Sequence, residues 1–182
     1  MIQRLIRNWW LLGLCVALEA IIALIYFNYA GHGVNRKSAM VPQGELTLAA
    51  GVCTIGAGVL RFAEGKRWLL VLNGAACSAL GLILTFKTAI AFRTIALLII
   101  VMAVSLGAHE LASAGRLQWR MRQWLPGTAG VVLVGFALVF LAFVLGWIKL
   151  GPAGFAQTLF WLGSYFGFSA ICMLGMAADL ET

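Results

Sequence analysis

The stretch WWLLGLCVALEAIIALIYFN, residues 9–28, contains a single charged side chain, Glu19. A bilayer core about 30 Å thick requires roughly 20 apolar residues, since each helical residue rises about 1.5 Å. Five further apolar runs of similar length follow, at residues 46–63, 68–86, 94–112, 124–147 and 155–176. The sequence therefore predicts an all-α integral membrane bundle of six transmembrane helices.

The composition supports this interpretation over two alternatives. Of the 182 residues, 63% are hydrophobic and 10% are charged. Helices of a soluble bundle would each keep a polar face, but residues 21–27 and 131–147 are apolar all round. A cleaved secretory signal is the second alternative, because Arg4 and Arg7 precede the first apolar run; the bulky Asn28 stands where a small residue would mark the cleavage site. We expect one membrane domain spanning residues 1–182.

The net charge of +7 does not indicate nucleic-acid binding, because the basic residues lie at the predicted helix ends. One side of the bundle carries eight of them: Arg4, Arg7, Arg61, Lys66, Arg67, Arg116, Arg120 and Arg122. The other side carries five: Arg36, Lys37, Lys87, Arg93 and Lys149. Basic residues accumulate on the cytoplasmic side of membrane proteins. This predicts a multi-pass protein with cytoplasmic N- and C-termini.

Three predicted helices begin with a similar motif, which indicates an internal repeat. The motifs are WLLGL from Trp10, WLLVLNG from Trp68 and WLPGTAG from Trp124, and the last two place Gly74 and Gly130 six residues after the Trp. In the first helix the same count reaches Val16. We therefore predict three tandem helical hairpins, at roughly 9–63, 68–112 and 124–176, with Gly74 and Gly130 in equivalent contacts.

The opening RNWWLL at residues 7–12, the repeated Trp-to-Gly hairpins and the six-helix length resemble the HdeD family of small bacterial inner-membrane proteins. The resemblance covers nearly the whole chain. It implies an inner-membrane location and an association with acid resistance. The family offers no catalytic residues to transfer. This chain departs from the family in the unusual Glu19 and in having only Pro42 and Pro152 to close the hairpins.

Glycine is abundant, with 21 residues, and helices in lipid associate through the close approach that small residues permit. Gly163 and Gly167 form a GxxxG pair in the sixth helix. This pair fits packing inside the bundle or, alternatively, a homo-oligomer contact. The bilayer itself is the partner that the composition predicts.

Glu19 is the most informative polar residue. It lies ten residues after Trp9, about 15 Å into the bilayer, where an ionised side chain costs roughly 2.5–3.5 kcal/mol. Such a group normally faces the bundle interior and is expected to be neutral. Hydroxyl groups predicted at similar depth, and able to bond it, belong to Thr54, Ser78, Ser105, Tyr165 and Ser169. Glu19 is either a proton or polar-solute site or a structural carboxyl that fixes helix register.

His109 and Glu110, near the cytoplasmic end of the fourth helix, form a second candidate site that would respond to pH. Adjacent helical residues project about 100° apart, so these two cannot face one point. His32 and His109 lie near opposite faces and cannot both bind one haem. Cys15, Cys53, Cys77 and Cys172 have no metal-ligand spacing. We expect no cofactor and no metal.

No base, nucleophile and oxyanion donor fall at one depth, so an enzyme is not predicted. The sequence predicts a non-enzymatic role in acid or stress tolerance, of HdeD type. One alternative is a small transporter or proton-conducting protein that uses Glu19, although the polar residues seem scattered along the helices. The other alternative is an assembly partner of another membrane protein, suggested by the glycine-lined helices.

Single cysteines placed at Asn35 and Gln118 test the topology. Because the charge distribution places Gln118 in the cytoplasm, a membrane-impermeant thiol reagent added outside cells should label N35C and leave Q118C unlabelled. Labelling of Q118C alone would invert the predicted orientation.

Overall fold

The computed structural model describes residues 2–32, 36–60, 68–86, 92–114, 120–148 and 154–178. Within these ranges the described side chains are those of residues 10–31, 43–59, 68–86, 93–112, 114, 127–148 and 157–174. Most of the basic residues that predict the topology fall outside them. Of those thirteen, Arg93 has a described side chain, and it is exposed.

The described residues form six α-helices and no strand, which confirms the predicted all-α class. The helices are α1 (Ile2–His32), α2 (Arg36–Leu60), α3 (Trp68–Phe86), α4 (Phe92–Ala114), α5 (Arg120–Val144) and α6 (Gly154–Ala178). The end of α5 is followed by a turn in which Gly146 has a φ of 77°, a conformation that glycine adopts at no steric cost.

Five of the six helices are long and apolar enough to cross a membrane. The spans are Trp10–Gly31, Trp68–Phe86, Arg93–Ala112, Gly127–Val144 and Gln157–Leu174. Helix α2 is not among them. Its first half contains Gln43 and Glu45, and its described part ends at Leu60, inside the apolar run predicted at 46–63.

The outer surface of the bundle is apolar in the middle of the helices. Leu24 is 68% exposed, Leu138 60% and Ile171 61%. Apolar patches of this kind rarely face water on soluble proteins. These side chains are suited to contact with lipid chains. The polar side chains of the middle of the helices, such as Glu19 and Asn73, are buried inside the bundle.

The helices are arranged as a ring in which each helix contacts the next along the chain, and α6 returns to contact α1. The closest pairs are α2 with α3, α4 with α5, and α6 with α1. Within each predicted hairpin, the two helices pack less closely than the helices of neighbouring hairpins do. We call the line of contact between two packed helices a seam. The tightest seams of the bundle join helices that belong to different hairpins.

Backbone contact at glycine makes the α2–α3 and α4–α5 seams close. A Cβ atom on Gly74 would lie 2.7 Å from the Gly51 carbonyl oxygen, and one on Gly130 would lie 3.0 Å from the Gly107 carbonyl oxygen. No side chain fits in the first of these gaps without moving backbone. The equivalence of Gly74 and Gly130 that the sequence predicts is thus confirmed, and each has a glycine partner on the neighbouring helix.

The third close seam, between α6 and α1, follows the same pattern with one substitution. A Cβ atom on Gly163 would lie 3.2 Å from the Ala23 carbonyl oxygen. Gly51, Gly107 and Gly163 are spaced at intervals of 56 residues. Their partners are Gly74, Gly130 and Ala23. In α1 the count of six residues from Trp10 reaches Val16 rather than Ala23, so the first helix departs from the motif that the other two share.

Gly163 and Gly167 both face α1 within the same chain, where Gly163 also approaches Tyr26 and Phe27 and Gly167 approaches Ala23. The GxxxG pair is used for internal packing in this structure. That contact gives no support to a homo-oligomer through the Gly163–Gly167 face.

The seam between α5 and α6 is different, because aromatic rings rather than backbones meet there. Phe136 of α5 lies 6.1 Å from Trp161 and 6.4 Å from Tyr165 of α6, measured between ring centroids. Phe140 and Phe143 also contact Trp161, at 6.5 and 6.3 Å. We call these five residues the aromatic seam. Its rings fill a wider gap than the glycine seams leave.

Alanine substitutions on α2 test the glycine seams. Gly51→Ala places a methyl group 2.7 Å from the Gly74 carbonyl oxygen, so α2 and α3 must separate. We expect a loss of about 1–3 kcal/mol in the free energy of unfolding, as for other overpacked sites. Gly56→Ala is the matched control, because nothing lies within 4 Å of its added Cβ. Unfolding of detergent-solubilised protein measures both, and equal stability of the two variants would contradict the role given to the seam.

Candidate functional site

Glu19 lies in the interior of the bundle, with 2% of its surface exposed. Helix α1 presents Cys15 on the same face one turn earlier, and Tyr26 about two turns later. Cys15 is fully buried and Tyr26 is 1% exposed. One face of α1 therefore carries three polar or titratable side chains into the centre of the bundle. The outer face carries exposed apolar side chains such as Ile21 and Leu24.

The Glu19 carboxyl is surrounded by groups from two other helices. The hydroxyl of Ser169 on α6 interacts with it. Tyr165 of α6 and Cys77 of α3 lie within electrostatic range. Glu19 Oε2 and Ser169 Oγ nevertheless make no hydrogen bond of ordinary geometry among the described residues. The predicted inward orientation is confirmed, and the carboxyl retains unused hydrogen-bonding capacity.

Tyr165 connects this group to α3. Its hydroxyl donates a hydrogen bond to Oδ1 of Asn73, with 3.3 Å between the two oxygens. Both residues are buried, at 0% and 1% exposure. The ring of Tyr165 stacks edge-on against Phe136 of the aromatic seam and against Phe166. Tyr165 thus belongs to both the polar interior and the aromatic packing.

The remaining predicted hydroxyls take different positions. Thr54 donates to the Ala50 carbonyl at 2.9 Å, and its Oγ1 lies 3.7 Å from Sγ of Cys15, so it lies beside the Glu19 face of α1. Ser105 is buried and donates to the Met102 carbonyl of its own helix at 2.9 Å. Ser78 lies at the α2–α3 seam next to Gly51. Of the five hydroxyl residues predicted with Glu19, Ser169, Tyr165 and Thr54 lie near it, whereas Ser78 lies at the α2–α3 seam and Ser105 bonds its own helix.

We call the end of the bundle where α1 ends and α2 begins the loop face. A second layer of polar side chains lies toward it. Thr47 of α2 is fully buried and donates to the Gln43 carbonyl at 2.7 Å. Cys77 of α3 donates its thiol proton to the Thr47 carbonyl at 3.3 Å. The Tyr26 hydroxyl lies beside Thr47. Gln43, one turn further along α2, is 2% exposed.

Together these residues make up what we call the polar column. It contains Gln43, Thr47, Tyr26, Cys77, Asn73, Tyr165, Glu19 and Ser169, all of them buried. It extends from the loop-face half of the bundle to the level of Glu19. The polar residues that seem scattered in the sequence are therefore brought together along one axis.

On the other side of Glu19, toward the end where α1 begins and α6 ends, the structure places a second buried carboxyl. Glu110 of α4 is 4% exposed, and both it and Glu19 lie within electrostatic range of Cys172 on α6. His109 is partly exposed. The two adjacent residues thus have different surroundings, as their 100° separation predicts.

The column provides hydrogen-bonding groups and one titratable carboxyl, that of Glu19. The described residues contain no group of three or more His, Cys, Asp or Glu side chains that could hold a metal ion. All four cysteines are free thiols; Cys15, Cys77 and Cys172 are buried and Cys53 is partly so. The chemistry available at the site is therefore hydrogen bonding and proton exchange.

Gln43, Thr47, Tyr26 and Cys77 were not predicted as site residues, although the sequence contains a signal for them. On α2, Gln43, Thr47 and Thr54 are spaced by four and seven residues, which places them on one helix face. On α3, Asn73 and Cys77 are four apart. A search for polar residues at helical spacing would have selected these positions, but it would not have told which helices face each other.

Comparisons with known proteins give no further guidance: no family model, curated protein or solved structure matches the chain. The function must be argued from the polar column itself.

A double-mutant cycle tests the link between α3 and α6. Tyr165→Phe removes one hydroxyl and leaves Asn73 Oδ1 without its donor, so we expect a loss of about 0.5–1.5 kcal/mol in the free energy of unfolding. In an Asn73→Leu background the same change should cost less, because the partner is already gone. Ser164→Ala is the control, since that hydroxyl bonds only the Phe160 carbonyl of its own helix on the exposed side. Strict additivity of the two changes would show that the bond contributes nothing.

Proposed function

We propose that this chain is a multi-pass protein of the bacterial inner membrane, of the HdeD type, in which Glu19 accepts and releases protons as part of a non-enzymatic role in acid or stress tolerance. The observation that carries the proposal is the burial of Glu19, at 2% exposure, inside a bundle with an apolar exterior. The HdeD resemblance of the sequence supplies the link to acid, and the geometry supplies the group that would respond to it.

The physical basis is the cost of keeping a carboxyl in the membrane interior. An ionised group there costs roughly 2.5–3.5 kcal/mol on insertion scales, and ionisable residues in spans normally mark proton or ion pathways. A purely structural carboxyl would be expected to have all its hydrogen bonds satisfied. Glu19 Oε2 makes none among the described residues. A group that must bind and lose protons benefits from such spare capacity, because its hydrogen-bond partners differ between the two states.

The polar column favours proton conduction over a sensor that is isolated in lipid. A conducting protein needs polar groups on both sides of its central carboxyl. Tyr26, Thr47 and Gln43 supply them toward the loop face, and Ser169, Cys172 and Glu110 lie in the opposite direction. The polar residues are thus less scattered than the sequence suggests, which strengthens the alternative of a proton-conducting protein that uses Glu19.

We assign α2 as the sixth membrane crossing and the three hairpins as one repeated unit. Helix α2 contains 25 residues and packs between α1 and α3, with the fully buried Thr47 and Ala50 facing inward. The 56-residue interval that relates Gly51, Gly107 and Gly163 supports an approximate threefold relation between the hairpins. With both termini in the cytoplasm, the loop face of the bundle is the outer face.

Glu19→Gln tests the proposed function, because the amide keeps the shape and most of the hydrogen bonding of the carboxyl but cannot titrate. We expect the variant to fold with near-normal thermal stability and to lose survival at low pH in cells whose chromosomal copy is deleted. Glu19→Leu should reduce both stability and survival, since it leaves Ser169 facing an apolar side chain. Survival assays and thermal unfolding in detergent measure the two effects separately.

The matched control is Glu45→Gln, which removes the charge of an exposed carboxyl on α2. It should change neither stability nor survival by a measurable amount. Normal acid survival of Glu19→Gln would assign the carboxyl a structural role and remove the proposed function.

A further inference from the structure

We infer that protons reach Glu19 from the loop face, along Gln43 and Tyr26 and through water molecules bound between them. The inference rests on the proposed function, since it supplies the route by which Glu19 exchanges its proton. It concerns residues on α1 and α2 that line the loop-face half of the polar column.

Two buried polar atoms along this route have no hydrogen-bond partner among the described residues. Tyr26 Oη and Gln43 Nε2 are buried and make no hydrogen bond to the described residues. The residues are 1% and 2% exposed, so neither is satisfied at the protein surface. A buried polar group without a partner costs about 1–3 kcal/mol, and native proteins usually satisfy such groups with ordered water. Two of them in one column indicate that the column binds water.

Thr47 and Cys77, the polar neighbours of Tyr26, donate their own protons elsewhere, so neither donates a hydrogen bond to the Tyr26 hydroxyl. Thr47 donates to the Gln43 carbonyl at 2.7 Å, and Cys77 donates to the Thr47 carbonyl at 3.3 Å. The Tyr26 hydroxyl is held in place by its ring, which stacks on Phe166 at a centroid distance of 5.9 Å. A rigidly placed hydroxyl with both donor and acceptor capacity is suited to pass a proton between two water molecules.

Distance requires water between Tyr26 and Glu19. The two residues are seven apart on α1, about 10 Å along the helix axis. Hydrogen bonds span about 2.7–3.2 Å, so roughly two or three water molecules would connect the two side chains. At the Glu19 end, Oε2 and the Ser169 hydroxyl supply the unused hydrogen-bonding sites that would receive such a chain.

The titratable groups around Glu19 are consistent with entry from this side. They are Cys15 on α1, Cys77 on α3, and Tyr165 and Cys172 on α6, with Cys53 of α2 next to Cys15 and Glu110 of α4 next to Cys172. Toward the end where α6 finishes, Ser169 is followed by the thiol of Cys172, which separates it from the buried Glu110 carboxyl. A thiol is a weak hydrogen-bonding group. The loop-face half has stronger amide and hydroxyl groups in line.

Hydrogen–deuterium exchange of the Glu19 carboxyl tests the route. The full chain in lipid nanodiscs is transferred from H2O to D2O, and the carbonyl stretch of protonated Glu19, identified by its loss in Glu19→Gln, is followed by infrared spectroscopy. Gln43→Leu and Tyr26→Phe should each slow the exchange about tenfold, the rate effect of about 1.4 kcal/mol. Tyr26→Phe keeps the ring that stacks on Phe166, so it is expected to fold.

Ser164→Ala, on the exposed side of α6, serves as the control and should exchange at the rate of the unmodified protein. Unchanged exchange in both Gln43→Leu and Tyr26→Phe, or equal slowing in Ser164→Ala, would overturn the inference. The exchange rate is a property of the purified protein, whereas acid survival of Glu19→Gln tests the proposed function. A failure of one is therefore distinguishable from a failure of the other.

Discussion

Close approach of helix backbones at small residues is the constraint on which this bundle depends. Between helices that are already in lipid, apolar burial provides no driving force, so association relies on packing and on interhelical hydrogen bonds. The contacts of Gly51 with Gly74, Gly107 with Gly130 and Ala23 with Gly163 bring three helix pairs together at equivalent points. Each of the six helices takes part in one of these three seams.

The polar column is a consequence of that packing. Because the glycine seams draw α2 onto α3 and α6 onto α1, the polar faces of these four helices are turned toward one another. Asn73 then meets Tyr165, and Thr54 meets Cys15, although each pair is far apart in the sequence. Glu19 occupies the space between them. The carboxyl is thus placed by contacts at residues that have no polar chemistry of their own.

The class of fold and the five apolar spans could be predicted from the sequence, because apolar length is a local property, whereas α2 begins at Arg36, well before the predicted run at 46–63. The same is true of the inward orientation of Glu19, since its depth makes exposure to lipid costly. The partners of Glu19 could not be predicted in the same way. Depth alone selects Ser78 and Ser105 as readily as Tyr165, and only the packing shows that Ser105 bonds its own helix. The contact at Ala23 could not be predicted either, because the count that locates Gly74 and Gly130 reaches Val16 in the first helix.

The aromatic seam differs from the glycine seams in how much change in sequence it can absorb. At Gly74 any side chain collides with backbone, so the position admits one residue. At the α5–α6 seam, rings such as Phe136 and Trp161 meet edge to face, and a ring of another size or an aliphatic chain can be accommodated by a change of rotamer. Evolution should therefore have preserved the three tight seams while letting the fourth diverge. An alignment of relatives would show invariant small residues at 51, 74, 107, 130 and 163 beside variable bulky residues at 136 and 161.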